Sequence, residues 1–377
     1  MLGLAGTDLV LPAIPTLPQS LAGNIEQAQL VLAAYAGGSG IGLLFFGELG
    51  ARYDQRRLLM ASLAGFACLS LLATVTSSIL QLVGVRLLQG FAGSAAAVFA
   101  PGMIRKMFDE PGALRALGLM GSVESMVPAL APILGAWLLI YFDWQISFVI
   151  IGALAATLAV VWLFFPRLLP NVRSTQSSQG YTALVNNRSF QHYALSQAFT
   201  LGGLLVFVFG APTVITLTMG GSLSDFVVMQ VIGITFYVLS ANLASRSVAR
   251  FGAERMILLG SVMSAAGFSS IFAYAMVIDT TAGYPNTQML WLLFAIGNLG
   301  LGLRGPPGFY KAVLAAGDND ARGAALMLLY TLMTAALGTA AVAPFIELGL
   351  VPLSMAAMLV SWASVALVVR HQGGAHE

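Results

Sequence analysis

Long apolar stretches alternate along the chain with short clusters of polar, charged, glycine and proline residues. The hydrocarbon core of a bilayer needs roughly 20 predominantly apolar residues per helix. Cutting at the clusters leaves twelve stretches: 1–15, 27–48, 58–76, 79–104, 114–140, 146–165, 192–217, 226–246, 254–278, 288–312, 322–346 and 350–370. The pattern predicts an all-α polytopic membrane protein with twelve transmembrane helices. The first stretch is short for a crossing, because a polar turn begins near Pro18, and a truncated first helix is expected there.

Composition agrees with lipid as the main solvent. Of 377 residues, 58% are hydrophobic and 8% charged, against about 25% charged in an ordinary soluble domain. With mean hydropathy at +0.87, a soluble fold of this size is excluded. Where the charges fall matters more than their net value of +2. Fifteen of the 17 basic residues, among them Arg52, Arg56, Arg57, Arg105, Lys106, Arg115, Arg250 and Arg370, lie in or beside alternate connections and at the C-terminus. The opposite connections hold Glu26, Asp143, Asp225, Asp279 and Glu347. By the positive-inside rule both termini are cytoplasmic, as expected for a multi-pass protein of a bacterial inner membrane.

The halves repeat one another. Arg115–Met120 (RALGLM) matches Arg322–Met327 (RGAALM) at an offset of 207, and Pro101-Gly102 matches Pro307-Gly308 at 206. Arg52-Tyr53 and Arg57 likewise match Arg250-Phe251 and Arg255. Such order points to duplication. The expected organisation is a bundle over 1–165, a linker over 166–191 and a second bundle over 192–377, with the Ser/Gln/Asn-rich 171–187 read as flexible.

Short strings then narrow the reading. GELGARYDQRR over Gly47–Arg57 follows the second stretch, with acid, glycine and basic residues closely spaced; Gly47, Arg52, Asp54 and Arg56 are its gating candidates. In the fourth stretch, LVGVRLLQGFAGSA places Arg86, Gly90, Gly93, Ala97 and Pro101 on one helix face. The fifth contains ESMVPALAPILGAW, with Glu124, Pro128, Pro132 and Gly135 on one face. WQISF over Trp144–Phe148 begins the sixth, and the first carries Asp8 ahead of a proline-rich end.

Together these strings resemble the major facilitator superfamily, and within it the drug/proton antiporters closest to the bicyclomycin-resistance-like branch. The resemblance implies two pseudo-symmetric six-helix bundles. It implies a cytoplasmic charge latch at the Gly47–Arg57 loop, where the family's acid is replaced by Ala51 and Asp54 or Glu48 is left to substitute. It also implies that Pro128, Pro132 and Gly135 form a kinked helix packed tightly against the other half. The string RGPPGFYK over Arg304–Lys311 has no counterpart among these motifs.

The charges within spans are Asp8, Arg86, Glu124, Arg304 and, near an inner end, Glu48. An intramembrane charge is costly and is a functional candidate by default. A carboxylate in a low-dielectric cavity can be brought toward neutral pKa and so exchange a proton. Asp8, Glu124 and Arg86 are therefore the proton-coupling candidates. Gln89, Phe207, Tyr237, Trp291, Asn298 and Arg304 are candidates for the substrate cavity, where aromatic and acidic groups suit lipophilic cations. The expected function is proton-driven efflux of drugs or small amphipathic compounds by alternating access; the alternative is export or import of a specific metabolite, for instance an organic anion met by Arg86 and Arg304.

Other classes find little support. No HExxH, GxSxG or Walker string occurs, so no enzymatic activity, catalytic residue or cofactor is expected. The three histidines show no metal-ligand spacing, and no metal is expected. The lone Cys68 reads as a small packed residue. The partners expected are a small-molecule substrate, protons and the lipid bilayer, with no nucleic acid, and the protein is expected to act as a monomer.

Overall fold

The computed structural model describes residues 2–23, 25–165, 180–281 and 286–374. All regular structure among them is helical. In chain order the helices are α1 (Leu2–Asp8), α2 (Leu17–Ser20), α3 (Ile25–Arg52), α4 (Gln55–Thr74), α5 (Ile79–Met107), α6 (Glu110–Tyr141) and α7 (Gln145–Phe164). They continue as α8 (Tyr181–Asn186), α9 (Arg188–Leu217), α10 (Leu223–Phe251), α11 (Ala253–Thr281), α12 (Thr287–Ala315), α13 (Asp320–Val342) and α14 (Leu350–Gly374). Ten helices are long and apolar enough to cross a membrane, and α6, with 32 residues, has the length as well. The protein is an all-α multi-pass membrane protein.

The twelfth stretch is the short one at the start. It folds as α1, a 3-10 turn over Leu11–Thr16, and α2. Pro12 and Pro18 sit at the first positions of the second and third pieces, where the missing N–H costs least but a continuous α-helix is broken.

Elsewhere local chemistry sets the ends. Asp54 caps α4 by accepting from the Arg56 backbone N–H at 3.0 Å. Ser222 and Asp225 form a reciprocal capping box at the start of α10. Asn187 caps α9, accepting from Phe190 N–H at 3.0 Å. Gly252 ends α10 with φ of 85°, a conformation that glycine adopts without steric cost.

Two sequence expectations change. Residues 166–179 of the expected linker lie outside the described residues, but 181–186 form α8 rather than an irregular segment. The Tyr181 hydroxyl donates to the Leu44 carbonyl at 2.9 Å, which ties the helix to α3. Cys68 is exposed rather than packed, since it falls on the outer face of α4.

The chain divides into two compact units. The first comprises Met1–Met107, Met126–Ala183 and Ala316–Leu326; the second comprises Phe108–Ser125, Leu184–Ala315 and Met327–Glu377. Each repeats one packing order. In the first, α3 lies on α5, and α4 on α5 and α7; in the second, α10 lies on α12, and α11 on α12 and α14. The first core gathers Val10, Ile14, Leu17, Phe66, Leu82 and Phe148. The second is centred on Phe207, which stacks with Phe294 at 5.6 Å and packs on Phe268 at 5.6 Å.

Glycine permits the closest approaches. At Gly38 a Cβ would overlap the Leu87 carbonyl, and at Gly90 that of Tyr35, so α3 and α5 meet backbone to backbone. At Gly302 it would strike Ser240 and the Tyr237 carbonyl, which draws α10 onto α12 in the same way.

Candidate functional site

In the first unit the centre is Arg86 on α5, fully buried. Of the face predicted from its spacing, Gly90 and Pro101 are buried with it and Gly93 partly so, while Ala97 is exposed. Its Nη1 donates to the Gly6 carbonyl at 2.9 Å and to Gln89 Oε1 at 2.6 Å, and Nε donates to the Val31 carbonyl at 3.4 Å. The guanidinium lies over the Tyr35 ring at 4.1 Å and near Phe148 at 5.7 Å. Cation–π attraction strengthens in such a desolvated setting.

Gln89 passes the network on, donating to Ser70 Oγ at 2.7 Å. The Tyr35 hydroxyl donates to the Gly3 carbonyl at 2.7 Å, which fastens α1 to α3. Asp8, half-buried at the end of α1, lies two residues beyond Gly6, whose carbonyl accepts from Arg86. Among the described residues no ion pair joins Asp8 to Arg86. Neutral groups thus hold the arginine.

The second unit buries Arg304 on α12 just as fully. Its Nη1 donates to the Ser196 carbonyl and Thr200 Oγ1, both on α9, and at 3.4 Å to Ser364 Oγ on α14; Nη2 donates to Ser196 Oγ at 3.1 Å. Pro306 and Pro307, inside α12, follow directly. The RGPPGFYK string is therefore a helical segment whose first side chain braces α12 against α9 and α14.

The remaining cavity candidates also fall in this unit. Phe207 is core, and Asn298 is buried and donates to the Phe294 carbonyl at 3.0 Å. Trp291 is half-buried, and its Nε1 finds no acceptor among the described residues. The Tyr237 hydroxyl lies against Gly121. Glu124 is half-buried one turn along α6 from Gly121, in the part of that helix that belongs to the second unit. Ser122, next to Gly121, accepts from Asn242 Nδ2 at 2.9 Å.

The third site is a charge cluster at the arginine-rich end of the first unit. Glu48 accepts two bonds from Arg322, at 2.8 Å from Nε and 3.0 Å from Nη2. It also accepts from Arg52 Nε at 2.7 Å. Arg105 and Lys106 of α5 pair with Asp320 at 2.8 and 3.5 Å. Arg322 donates as well to Asn319 Oδ1 at 2.9 Å. Of the two acids left to replace the one missing at Ala51, Glu48 bonds the partner arginine, while Asp54 is occupied as a helix cap.

Gly47 is required here. A Cβ at that position would run into the Tyr181 hydroxyl and Ala325. Burial, with Glu48 close by, pushes the Tyr181 phenol up to about 12, so it remains a donor at any physiological pH. Arg56 contributes its backbone N–H to the Asp54 cap. Sequence reading missed Asp320, Arg322, Arg105 and Tyr181 as members. The duplicated RxxxLM string did contain Arg322, but nothing in one dimension paired it with Glu48.

On α6, Gly135 meets the Leu9 carbonyl and Pro12 of the first helical pieces within its own unit, where the small residue accommodates the broken first segment. The side chains of Pro128 and Pro132 lie outside the described residues.

The Major Facilitator Superfamily profile matches residues 1–343. The chain belongs to the Major Facilitator Superfamily. It is thus a multi-pass membrane protein of that family, and curated relatives share part of its length. It is 25% identical over 266 residues to a bicyclomycin resistance protein homolog of Haemophilus influenzae, covering 68% of this chain and 66% of that protein. It is 29% identical over 265 residues to a chloramphenicol resistance protein of Pseudomonas aeruginosa, covering 69% and 62%. These alignments span slightly less than two thirds of each relative. The fold matches that of FucP, a Major Facilitator Superfamily transporter in the outward conformation, with a TM-score of 0.69 at 14% identity over 98% of this chain and 97% of that one.

Proposed function

We propose that this transporter is a proton-coupled efflux antiporter that exports drugs or other small amphipathic compounds by alternating access. The observation that carries the reading is a half-buried Asp8 in the broken first segment, two residues from the Gly6 carbonyl that Arg86 holds. A half-buried carboxylate there can change protonation as access alternates. The relatives named for bicyclomycin and chloramphenicol resistance favour efflux. Glu124 beside Tyr237 is the second acidic candidate, and the half-buried Trp291 offers an aromatic surface for a lipophilic substrate.

The Glu48–Arg322 and Arg105–Asp320 pairs act as the latch at the cytoplasmic end. The chain sits in a bacterial inner membrane with both termini inside and works as a monomer, its transport bundles being 1–165 and 192–377. The organic-anion reading is less favoured, because most donors of Arg86 and Arg304 are already taken by protein acceptors.

The test is transport in proteoliposomes with an imposed pH gradient. Efflux of a lipophilic cation should follow the gradient in the wild type and stop when an ionophore collapses it. Asp8→Asn should leave a folded protein whose transport no longer responds to pH, and Glu124→Gln separates the second acid. Unchanged transport without any gradient would sink the coupling reading.

A further inference from the structure

The seam between α9 and α14 opens at the arginine-rich end into a cavity of about 290 Å³. Arg188, Gln191, His192 and Leu195 of α9 line it, with Leu367 and Arg370 of α14. All six belong to the second unit. Arg188 and Arg370 are exposed at the rim, while His192 is buried in the wall with its ring edge-on to Tyr193 at 4.9 Å. Among the described residues no Asp or Glu lines the cavity.

The same seam carries a third guanidinium farther in. Ser196, which holds Arg304, is one helical turn beyond His192, and Ser364 is one turn before Leu367. Positive charge therefore accumulates along the seam, with no carboxylate on its walls among the described residues. A cavity of that volume, cationic at its mouth and apolar along Leu195 and Leu367, matches an anion attached to an apolar body. Guanidinium pairs suit phosphate oxygens through directed, charge-assisted bonds.

We propose that the α9/α14 seam binds a phosphate group, held by Arg188 and Arg370 at its mouth, on an anionic phospholipid of the cytoplasmic leaflet or on a soluble phosphate ester. The two arginines grip the phosphate oxygens, and the leucines receive the adjoining glycerol and first methylenes. Basic pockets between helices at the cytoplasmic side are suited to such head groups. This site is separate from the coupling residues, so its failure would leave the antiport reading standing.

The experiment uses the full chain, delipidated in neutral detergent, with lipid retention followed by native mass spectrometry. Three probes are compared: phosphatidylglycerol, phosphatidylcholine and inorganic phosphate. Phosphatidylglycerol should be retained over phosphatidylcholine, and each of Arg188→Gln and Arg370→Gln should weaken it roughly fivefold, about 25-fold together. Arg246→Gln, also exposed but on α10, should leave retention unchanged. Displacement of the lipid by millimolar inorganic phosphate identifies a soluble phosphate as a competent occupant. Failure of phosphate to compete identifies the membrane lipid as the source. Equal retention of both lipids, or a double variant that binds phosphatidylglycerol and phosphate as the wild type does, overturns the proposal.

Discussion

Arg86 and Arg304 are the two largest fully buried side chains of the described residues, one in each unit, and they are held differently. Arg86 supplies hydrogens to acceptors that have few other donors: the Gly6 carbonyl at the last turn of a seven-residue helix and the Gln89 side-chain oxygen. Arg304 sits among hydroxyls that also bond one another. Thr200 and Ser364 are 2.8 Å apart, and Ser364 donates to the Ser196 carbonyl at 2.7 Å. The comparison teaches that burial alone does not rank two charges. What ranks them is which acceptors would be stranded if the charge were removed, since a buried polar atom left unpaired costs about 1 to 3 kcal/mol.

The largest effect should come from Arg86→Met. It strands the Gly6 and Gln89 acceptors and releases α1 from α5, so thermal stability in detergent should fall by several degrees and transport should drop by about 100-fold or more. Arg304→Met should lower the melting temperature distinctly less, because the hydroxyl cage can close on itself and a buried charge replaced by an apolar chain of similar volume is often tolerated. Equal losses in the two variants would break the distinction.

A third substitution tests the latch. Glu48→Gln leaves Arg322, nearly buried at 4% side-chain exposure, without its carboxylate, and should shift the transport cycle toward states open at that end. The exchange Glu48→Arg with Arg322→Glu should recover much of the lost function, as a charge pair would and a shape requirement would not. Accessibility of single cysteines to a thiol reagent gives the readout. The smallest effect belongs to Tyr181→Phe. It removes one partly exposed hydrogen bond to Leu44, worth about 0.5 to 1.5 kcal/mol, and should lower stability slightly while leaving the pH response intact.

Much of the candidate site was legible before any coordinates. Arg86 stood out because an arginine amid apolar residues is costly unless it has work to do, and its inward face followed from the four-and-three spacing of glycines behind it. On sequence alone Asp54 is a gating candidate and Glu48 only an alternative for the acid missing at Ala51. Only the fold separates them, because the Asp54 carboxylate caps α4, whereas Glu48, six residues earlier on α3, bonds Arg322. Asp320, Arg105 and Tyr181 were not legible, since their partners lie far away along the chain. The broken first segment was read as a shortened helix; its prolines explain the pieces, but the way Gly135 receives Leu9 depends on tertiary contact.

By itself the sequence determined the solvent, the helical content and the sidedness of the charge, since each rests on local requirements: enough apolar length to cross a bilayer, and basic residues that stay out of it. It also determined the duplicated plan. The tertiary structure decided which charges are paired, which are caged by neutral groups, and which chain segments each unit recruits, down to Ala316–Leu326 joining the first. These are properties of side-chain direction and distance in three dimensions. Residues hundreds of positions apart can meet at 2.8 Å, and no local pattern encodes that meeting.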